Sequence, residues 1–262
     1  MAGRTASIHG AVFEYSAGER LPWHVHNRGQ LVYAVSGTMV VEAQDGLWVT
    51  PPQRAVWVPP RVRHRITMDT NVAMHTLYID PAADHALGAR CDVSEVTPLL
   101  RELIVALTDL GRQRNEARRT ALEHLILDEL ARIPAVPLHL PDGRDPRLRR
   151  ITARLRDDPA DGRPLAAWGK IAGGSASTLA RLFHSECGMS FGDWKRQARL
   201  LFALKRLARG DPVTTVALDA GYSSPSAFTY MFRRVLGSSP SLYFKKAISS
   251  APSETHHCRA VP

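Results

Sequence analysis

The chain is poor in cysteine and has no apolar run long enough to cross a membrane. Its three cysteines, Cys91, Cys187 and Cys258, lie far apart with no CxxC pair. That pattern excludes a disulfide frame and a cysteine zinc site, and it fits reduced thiols in a reducing compartment. Without a stretch of about 20 apolar residues, no membrane span is expected. Residues 1–10 lack the basic-then-apolar pattern of a secretory leader, so the expected location is cytoplasmic. What is present suits a soluble globular protein: 262 residues, 44% of them hydrophobic, enough for two domains with real cores.

Charge is distributed unevenly. Residues 1–142 hold 14 Lys+Arg against 16 Asp+Glu, net −2, whereas residues 143–247 hold 19 against 8, net +11. A basic domain beside a near-neutral one suggests a polyanion-binding module attached to something else; a solvated basic surface would give the same numbers.

Residues 11–79 read as short strands at 31–35, 39–42, 48–50, 55–58 and 74–79, separated by Gly, Pro, Asp and Asn turns. This spacing fits a small barrel or sandwich. Over 93–133 the period becomes helical. Leu99, Leu100, Leu103, Ile104 and Leu107 form one stripe and Leu122, Leu125, Ile126 and Leu130 another, with a break near Gly111. Pro134, Pro137, Pro141 and Gly143 then mark a domain boundary. Beyond it, Asp145-Pro146, Asp211-Pro212, Ser224-Pro225 and Ser239-Pro240 each place a capping residue before a proline at the first helical position. Ser190 and Asp193 resemble a capping box. Residues 248–262 read as a disordered tail.

The C-terminal half repeats itself. Ser175, Ser177, Leu179, Leu182, Phe183, Gly188 and Ser190 recur 49 positions later as Ser224, Ser226, Phe228, Met231, Phe232, Gly237 and Ser239. Each copy reads as a short helix, a glycine turn (Gly173-Gly174, then Gly221-Tyr222) and a Ser-capped helix. That is the order of a helix-turn-helix, where glycine tolerates positive φ and the second helix keeps one polar face free.

These residues resemble the DNA-binding domain of the AraC/XylS family, most clearly at STLARLF (177–183), GMSF (188–191), AGYSSPSAF (220–228), FRR (232–234) and GSSP (237–240). The resemblance implies that a long helix, about 191–208, joins two helix-turn-helix units and sets both recognition helices into successive major-groove segments of double-stranded DNA. It places Ser177, Ala180 and Arg181 in one groove and Pro225, Ser226 and Tyr230 in the next. Ala180 and Pro225 have no side-chain donor, so base contact is expected from Ser177, Arg181, Ser226 and Tyr230. Arg181 suits guanine O6 and N7, or alternatively a phosphate. Lys195, Arg196, Arg199, Arg233 and Arg234 are expected on the DNA backbone, with surface solvation as the alternative.

In the N-terminal half, His24 and His26 share one face of an expected strand, with Gln30 and His64 further on. Gly18, His24, His26, Gln30 and Gly37, followed by Pro59, Arg61 and His64, resemble the two cupin motifs. Gln30 replaces the usual Glu, and Arg61 replaces a turn glycine. Three imidazoles and an amide could hold a divalent transition metal (Zn, Ni, Fe or Cu) or line a pocket for an organic effector. His75 could also face inward, the alternative being a surface or buried non-ligand histidine, and Trp23, Tyr33, Trp48, Trp57 and Tyr78 could line such a pocket, the alternative for most of them being ordinary core.

The expected fold is α+β and multidomain: a cupin-like β-barrel sensor (1–92), a helical linker and dimerisation region (93–142), and an all-α domain with two helix-turn-helix units (143–247). The expected function is an effector-controlled, sequence-specific transcription regulator, a homodimer with no enzymatic activity, RNA polymerase being a further partner. A metal-dependent cupin enzyme fused to a DNA-binding module, or a constitutive DNA binder with a structural barrel, are the alternatives.

Overall fold

The computed structural model describes residues 8–83, 87–110, 115–136 and 138–249. The first part of the chain forms β1 (Ile8–Tyr15), β2 (Arg20–His24), β3 (Gly29–Ser36), β4 (Met39–Ala43), β5 (Gly46–Thr50), β6 (Arg54–Val58), β7 (His64–Met68), β8 (Val72–Ile79) and β9 (Asp92–Glu95). Two helices follow, α1 (Pro98–Leu110) and α2 (Glu116–Arg132), and then β10 (His139–Pro141). The strands pair antiparallel in two five-stranded sheets, ordered β1-β8-β3-β6-β9 and β10-β5-β4-β7-β2.

Strand alternation explains how the sheets are covered. On β3, Gln30, Val32 and Ala34 turn toward the second sheet, while Leu31, Tyr33 and Val35 turn the other way. The unbroken apolar run of β3 therefore feeds two cores. One lies between the sheets, around Val41, Val56, Ile66 and Met74. The other joins the outer face of the first sheet to Leu100, Leu103, Ile104 and Leu107 of α1 and Leu122, Ile126 and Leu130 of α2.

This packing bears on two expectations. The segment expected as a helical linker, 93–142, is also tied into the sheets, because β9 extends the first sheet beside β6 and β10 extends the second beside β5. The helical stripes pack on the chain's own sheet, so Leu103, Leu107, Leu122 and Ile126 are buried inside one subunit and only Leu99 and Leu125 remain exposed. The expected break at Gly111 falls outside the described residues.

The C-terminal part is helical: α3 (Pro146–Asp157), α4 (Leu165–Ala172), α5 (Ala176–Cys187), α6 (Phe191–Ala208), α7 (Val213–Asp219), α8 (Pro225–Leu236) and α9 (Pro240–Ser249). Asp145, Ser175, Ser190 and Ser224 cap their helices by accepting from Arg147 N, Thr178 N, Asp193 N and Ala227 N. Asp211 departs from expectation. Helix α7 begins one residue later, with Pro212 at its cap and no side-chain cap bond, and Asp211 pairs with Arg206 instead. The tail expected from 248 keeps residues 248 and 249 in α9; residues 250–262 lie outside the described residues.

The two halves touch. Trp194 of α6 is fully buried and its indole Nε1 donates to Pro141 O at 2.8 Å. The Arg54 guanidinium of β6 sits 5.8 Å from the ring centroid of Tyr243 in α9. Cys91 and Cys187 are free thiols, and burial pushes them up to about 12 and about 11, so both stay protonated and inert.

Candidate DNA-binding face and histidine site

The repeat read from sequence is a repeat in space. Helices α5 and α8 each span 12 residues and begin at the same point of their copies. Leu179 and Phe183 in one, and Phe228 and Phe232 in the other, are fully buried. Each turn uses glycine as expected: Gly173 ends α4 at φ +85°, and Gly221 follows α7 at φ +80°. At Gly221 a Cβ would also lie 2.8 Å from Ala160 Cα, so close packing adds to the conformational demand.

With one face of each recognition helix buried, the other is free. Ser177 and Arg181, one helical turn apart on α5, are exposed. On α8, Ser226 is exposed and Tyr230 is 71% exposed, its ring clear of the core. Among the described residues, Arg181, Arg233 and Arg234 form no ion pair. A groove of about 550 Å³ runs between α6 and α8, with Arg196, Tyr230 and Arg234 on its walls and Asp193 among them. Arg196 is held by Asp193. Lys195 is half-buried beside the Phe191 ring, and burial, followed by repulsion from Arg199, lowers the pKa of its amine. Arg199 is committed inside the domain, its Nε donating to Pro159 O at 3.0 Å and its guanidinium lying by the Tyr222 ring. Three of the five residues expected on phosphates, Lys195, Arg196 and Arg199, thus have partners inside the domain.

In the barrel, His24 ends β2, His26 lies just beyond it and His64 opens β7, where His24 and His64 are cross-strand partners. The ring centroids of His24 and His64 are 4.2 Å apart, those of His24 and His26 4.9 Å, and those of His26 and His64 5.5 Å. One nitrogen from each ring falls within 4.8 Å of the other two. Arg61 explains how His64 arrives there. It occupies a glycine-like conformation at φ +64°, and its N–H donates to His26 O at 2.8 Å. The turn glycine is absent from the sequence, but its backbone geometry is kept.

The proton bookkeeping at this site is informative. The Nδ1 of His24 faces Pro22 O at 2.7 Å, and that of His64 faces Val62 O at 3.0 Å. A carbonyl only accepts, so a proton on either Nδ1 is donated to its carbonyl and leaves the Nε2 of a neutral ring with a lone pair. Gln30 is oriented by Thr76: its Nε2 donates to Thr76 Oγ1 at 2.9 Å, and that hydroxyl donates to Leu31 O at 3.1 Å. Gln30 Oε1 is thereby turned toward His64 Nε2, 3.0 Å away. Burial lowers the His64 pKa to about 4, against a smaller opposing effect of the Val62 bond and with repulsion from His24 and His26, so the ring is neutral at pH 7. A neutral ring has one proton for two acceptors, Val62 O and Gln30 Oε1; with that proton on Nδ1, His64 Nε2 presents its lone pair beside Gln30 Oε1. His26 Nε2 is buried without a partner. Three imidazoles that converge this way, with the Nδ1 atoms of His24 and His64 at backbone carbonyls, have the arrangement of metal ligands with outer-shell supports.

The other residues weighed for the barrel site mostly follow their structural alternatives. His75 points away from the site, its Nδ1 meeting Thr108 Oγ1 of α1 at 2.9 Å. Tyr33 and Trp57 face the α1–α2 core, Trp48 is buried against His139, and Trp23 lies outside under Arg63 and Arg65. Only Tyr78 stands by the histidines, its ring 5.0 Å from that of His26. Thr76 and Tyr15 were missed. Thr76 shares the inward face of β8 with Tyr78, and Tyr78 is the cross-strand partner of Gln30. Tyr15 lies near enough to Tyr78 for that phenol to help burial raise its own pKa.

Residues 11–126 match the AraC-like ligand binding domain family and residues 168–246 a helix-turn-helix domain family. The HTH-type transcriptional regulator NimR of Escherichia coli (strain K12) is 35% identical over 232 residues, 88% of this chain and 85% of that protein. The chain belongs to the AraC family of transcription regulators. A second AraC-family match, the HTH-type transcriptional regulator RipA of Corynebacterium glutamicum, is 34% identical over 112 residues, 43% of this chain and 33% of that protein. The crystal structure of ToxT from Vibrio cholerae O395 aligns over 91% of this chain and 97% of that one, at 14% identity and a TM-score of 0.40. As an AraC-family member the chain is a DNA-binding transcription regulator with an N-terminal ligand-binding domain. No helix among the described residues is long and apolar enough to cross a membrane.

Proposed function

We propose that this regulator senses a transition metal through the Nε2 atoms of His24, His26 and His64, with Gln30 Oε1 as a neutral fourth donor. The observation that carries the reading is the convergence of three imidazoles, one nitrogen of each lying within 4.8 Å of the other two, with Gln30 Oε1 3.0 Å from His64 Nε2. The donor set fits Zn, Ni, Fe or Cu better than hard ions, because it has three imidazoles and no carboxylate. A bound ion would tie together the donors that β2, β3 and β7 bring to this site. The relatives that match are transcription regulators, which supports binding over catalysis in the barrel.

The output is DNA binding by the free faces of α5 and α8. Ser177, Arg181, Ser226 and Tyr230 read bases, and Lys195, Arg196, Arg233 and Arg234 hold phosphates. The regulator acts in the cytoplasm as a homodimer and passes its signal to RNA polymerase. Elemental analysis of untagged protein after reconstitution tests the metal reading. About one equivalent of a transition metal is expected in the wild type and a large loss in His64→Ala, with DNA binding retained by the separate helical domain. Gln30→Glu should tighten divalent binding by adding a negative donor at the same reach. Less than about a tenth of an equivalent in the reconstituted wild type would overturn the metal and leave the cluster as pocket lining for an organic effector.

A further inference from the structure

A second cleft, unconnected with the histidines, lies between the two halves of the chain. It has a volume of about 490 Å³ and separates the outer face of the second sheet from α3 and α6. Its walls carry six basic side chains: Arg20 and Arg65 from the strands, and Arg156, Lys205, Arg206 and Arg209 from the helical side. Only three acids line it, Glu42, Asp69 and Asp157.

Ion pairs hold four of the six in place. Arg65 pairs with Glu42 at 2.7 Å, Arg209 with Asp69, Arg156 with Asp142 at 3.2 Å, and Arg206 with Asp211 and Asp219. Asp142, Asp211 and Asp219 are not part of the lining, so they orient Arg156 and Arg206 without occupying the cleft. Arg20 of β2 and Lys205 of α6 form no ion pair among the described residues, and they approach from opposite halves of the chain. Apolar residues complete the walls, among them Val40 and Val49 from the sheet and Phe202 from α6.

We infer that this cleft binds a small multivalent organic anion, a polycarboxylate or a phosphate ester, that bridges Arg20 and Lys205. Two unmatched cations on facing walls suit a ligand with two separated negative groups. A monovalent ion would engage one wall and be screened by salt. Guanidinium groups already oriented by acids present their remaining N–H donors in fixed directions, which favours planar carboxylate and phosphate oxygens. The apolar part of the walls accommodates a carbon body. A ligand held by both halves adds an attachment between the sheet and α6, the helix that joins the two helix-turn-helix units.

Titration calorimetry on the full chain tests this, with tricarballylate and fructose 1,6-bisphosphate as probes at constant ionic strength set with sodium chloride. Saturable binding of at least one probe is expected. Tricarballylate alone assigns a carboxylate ligand, the bisphosphate alone a phosphate ligand, and both together the shared oxyanion chemistry. Arg20→Ala and Lys205→Ala should each weaken binding at least threefold and the double variant at least tenfold, while Arg20→Lys retains most of it. His64→Ala should leave it unchanged, which separates this site from the metal reading. Heat no greater than that of matched chloride, an unchanged affinity in the double variant, or sensitivity to only one of the two single variants would overturn the bridging site.

Discussion

Asp69, in the turn after β7, and Arg209, at the C-terminal cap of α6, form an ion pair across 140 residues of sequence. The Asp69 side chain is 5% exposed and that of Arg209 50%. The carboxylate is thus a buried group that depends on a partner from the other half of the molecule: Arg209 binds its Oδ1, and its Oδ2 has no hydrogen-bond partner among the described residues.

Removing that partner should cost more than the pair itself contributes. Arg209→Ala leaves a buried carboxylate unmatched and is expected to destabilise the full chain by about 1–3 kcal/mol. Adding Asp69→Ala should recover part of the loss, because the unmatched charge is then gone. Urea unfolding of the two single variants and the double variant measures both. A double variant less stable than the sum of the singles would refute the pairing.

Acid should weaken the metal-free barrel through His64. The folded ring has its pKa lowered to about 4, against about 6.5 in an unfolded chain. Below pH 6.5 the unfolded state takes up the proton first, so stability falls as pH drops from about 6.5 toward 4 and levels off beneath. The slope is about 1.4 kcal/mol per pH unit in that window. His64→Gln, which cannot titrate, should show a shallower fall between pH 6 and pH 4.5 in thermal or urea melts. Parallel curves for the two proteins would count against a buried neutral His64.

DNA affinity of the full chain should fall steeply with salt, since each neutralised phosphate releases counterions. Arg181→Ala should cost about 1–3 kcal/mol on the preferred site and relax selectivity at one base position. A uniform loss on all sequences, together with a shallower salt slope, would move Arg181 to a phosphate. Binding measured across a salt series on preferred and scrambled duplexes distinguishes the two.

Dimer formation, if it uses α1 and α2, has to use what the barrel leaves free. Leu99 and Leu125 are about half exposed, whereas Leu103 and Ile126 belong to the subunit's own core. The Leu99→Glu, Leu125→Glu double variant should remain folded and sediment as a monomer. The wild type should sediment as a dimer at tens of micromolar, roughly micromolar affinity being the floor for a functional contact. A monomeric wild type at that concentration would remove the interface.

The sequence by itself determined whatever rests on local rules. Ser175, Ser190 and Ser224 announce helix starts because an unpaired backbone N–H needs a nearby oxygen, and Gly173 and Gly221 announce turns because few other residues tolerate positive φ. The 49-residue repeat and the burial of Phe183 and Phe232 follow from helical period, which is a property of a dozen neighbouring residues. The candidate metal donors were also legible, because the cupin-like motifs carry His24, His26, Gln30 and His64 in order. Tertiary structure alone decided what depends on residues far apart. Whether Leu103 faces a partner or its own sheet depends on the outer face of β3, whose apolar run cannot announce that it serves two cores. The direction in which Gln30 turns its oxygen is set by Thr76, 46 residues away. Arg20 and Lys205 look like ordinary surface charges until the second sheet and α6 bring them into one cleft. Periodicity reports which face of an element is apolar, and only packing decides what that face meets.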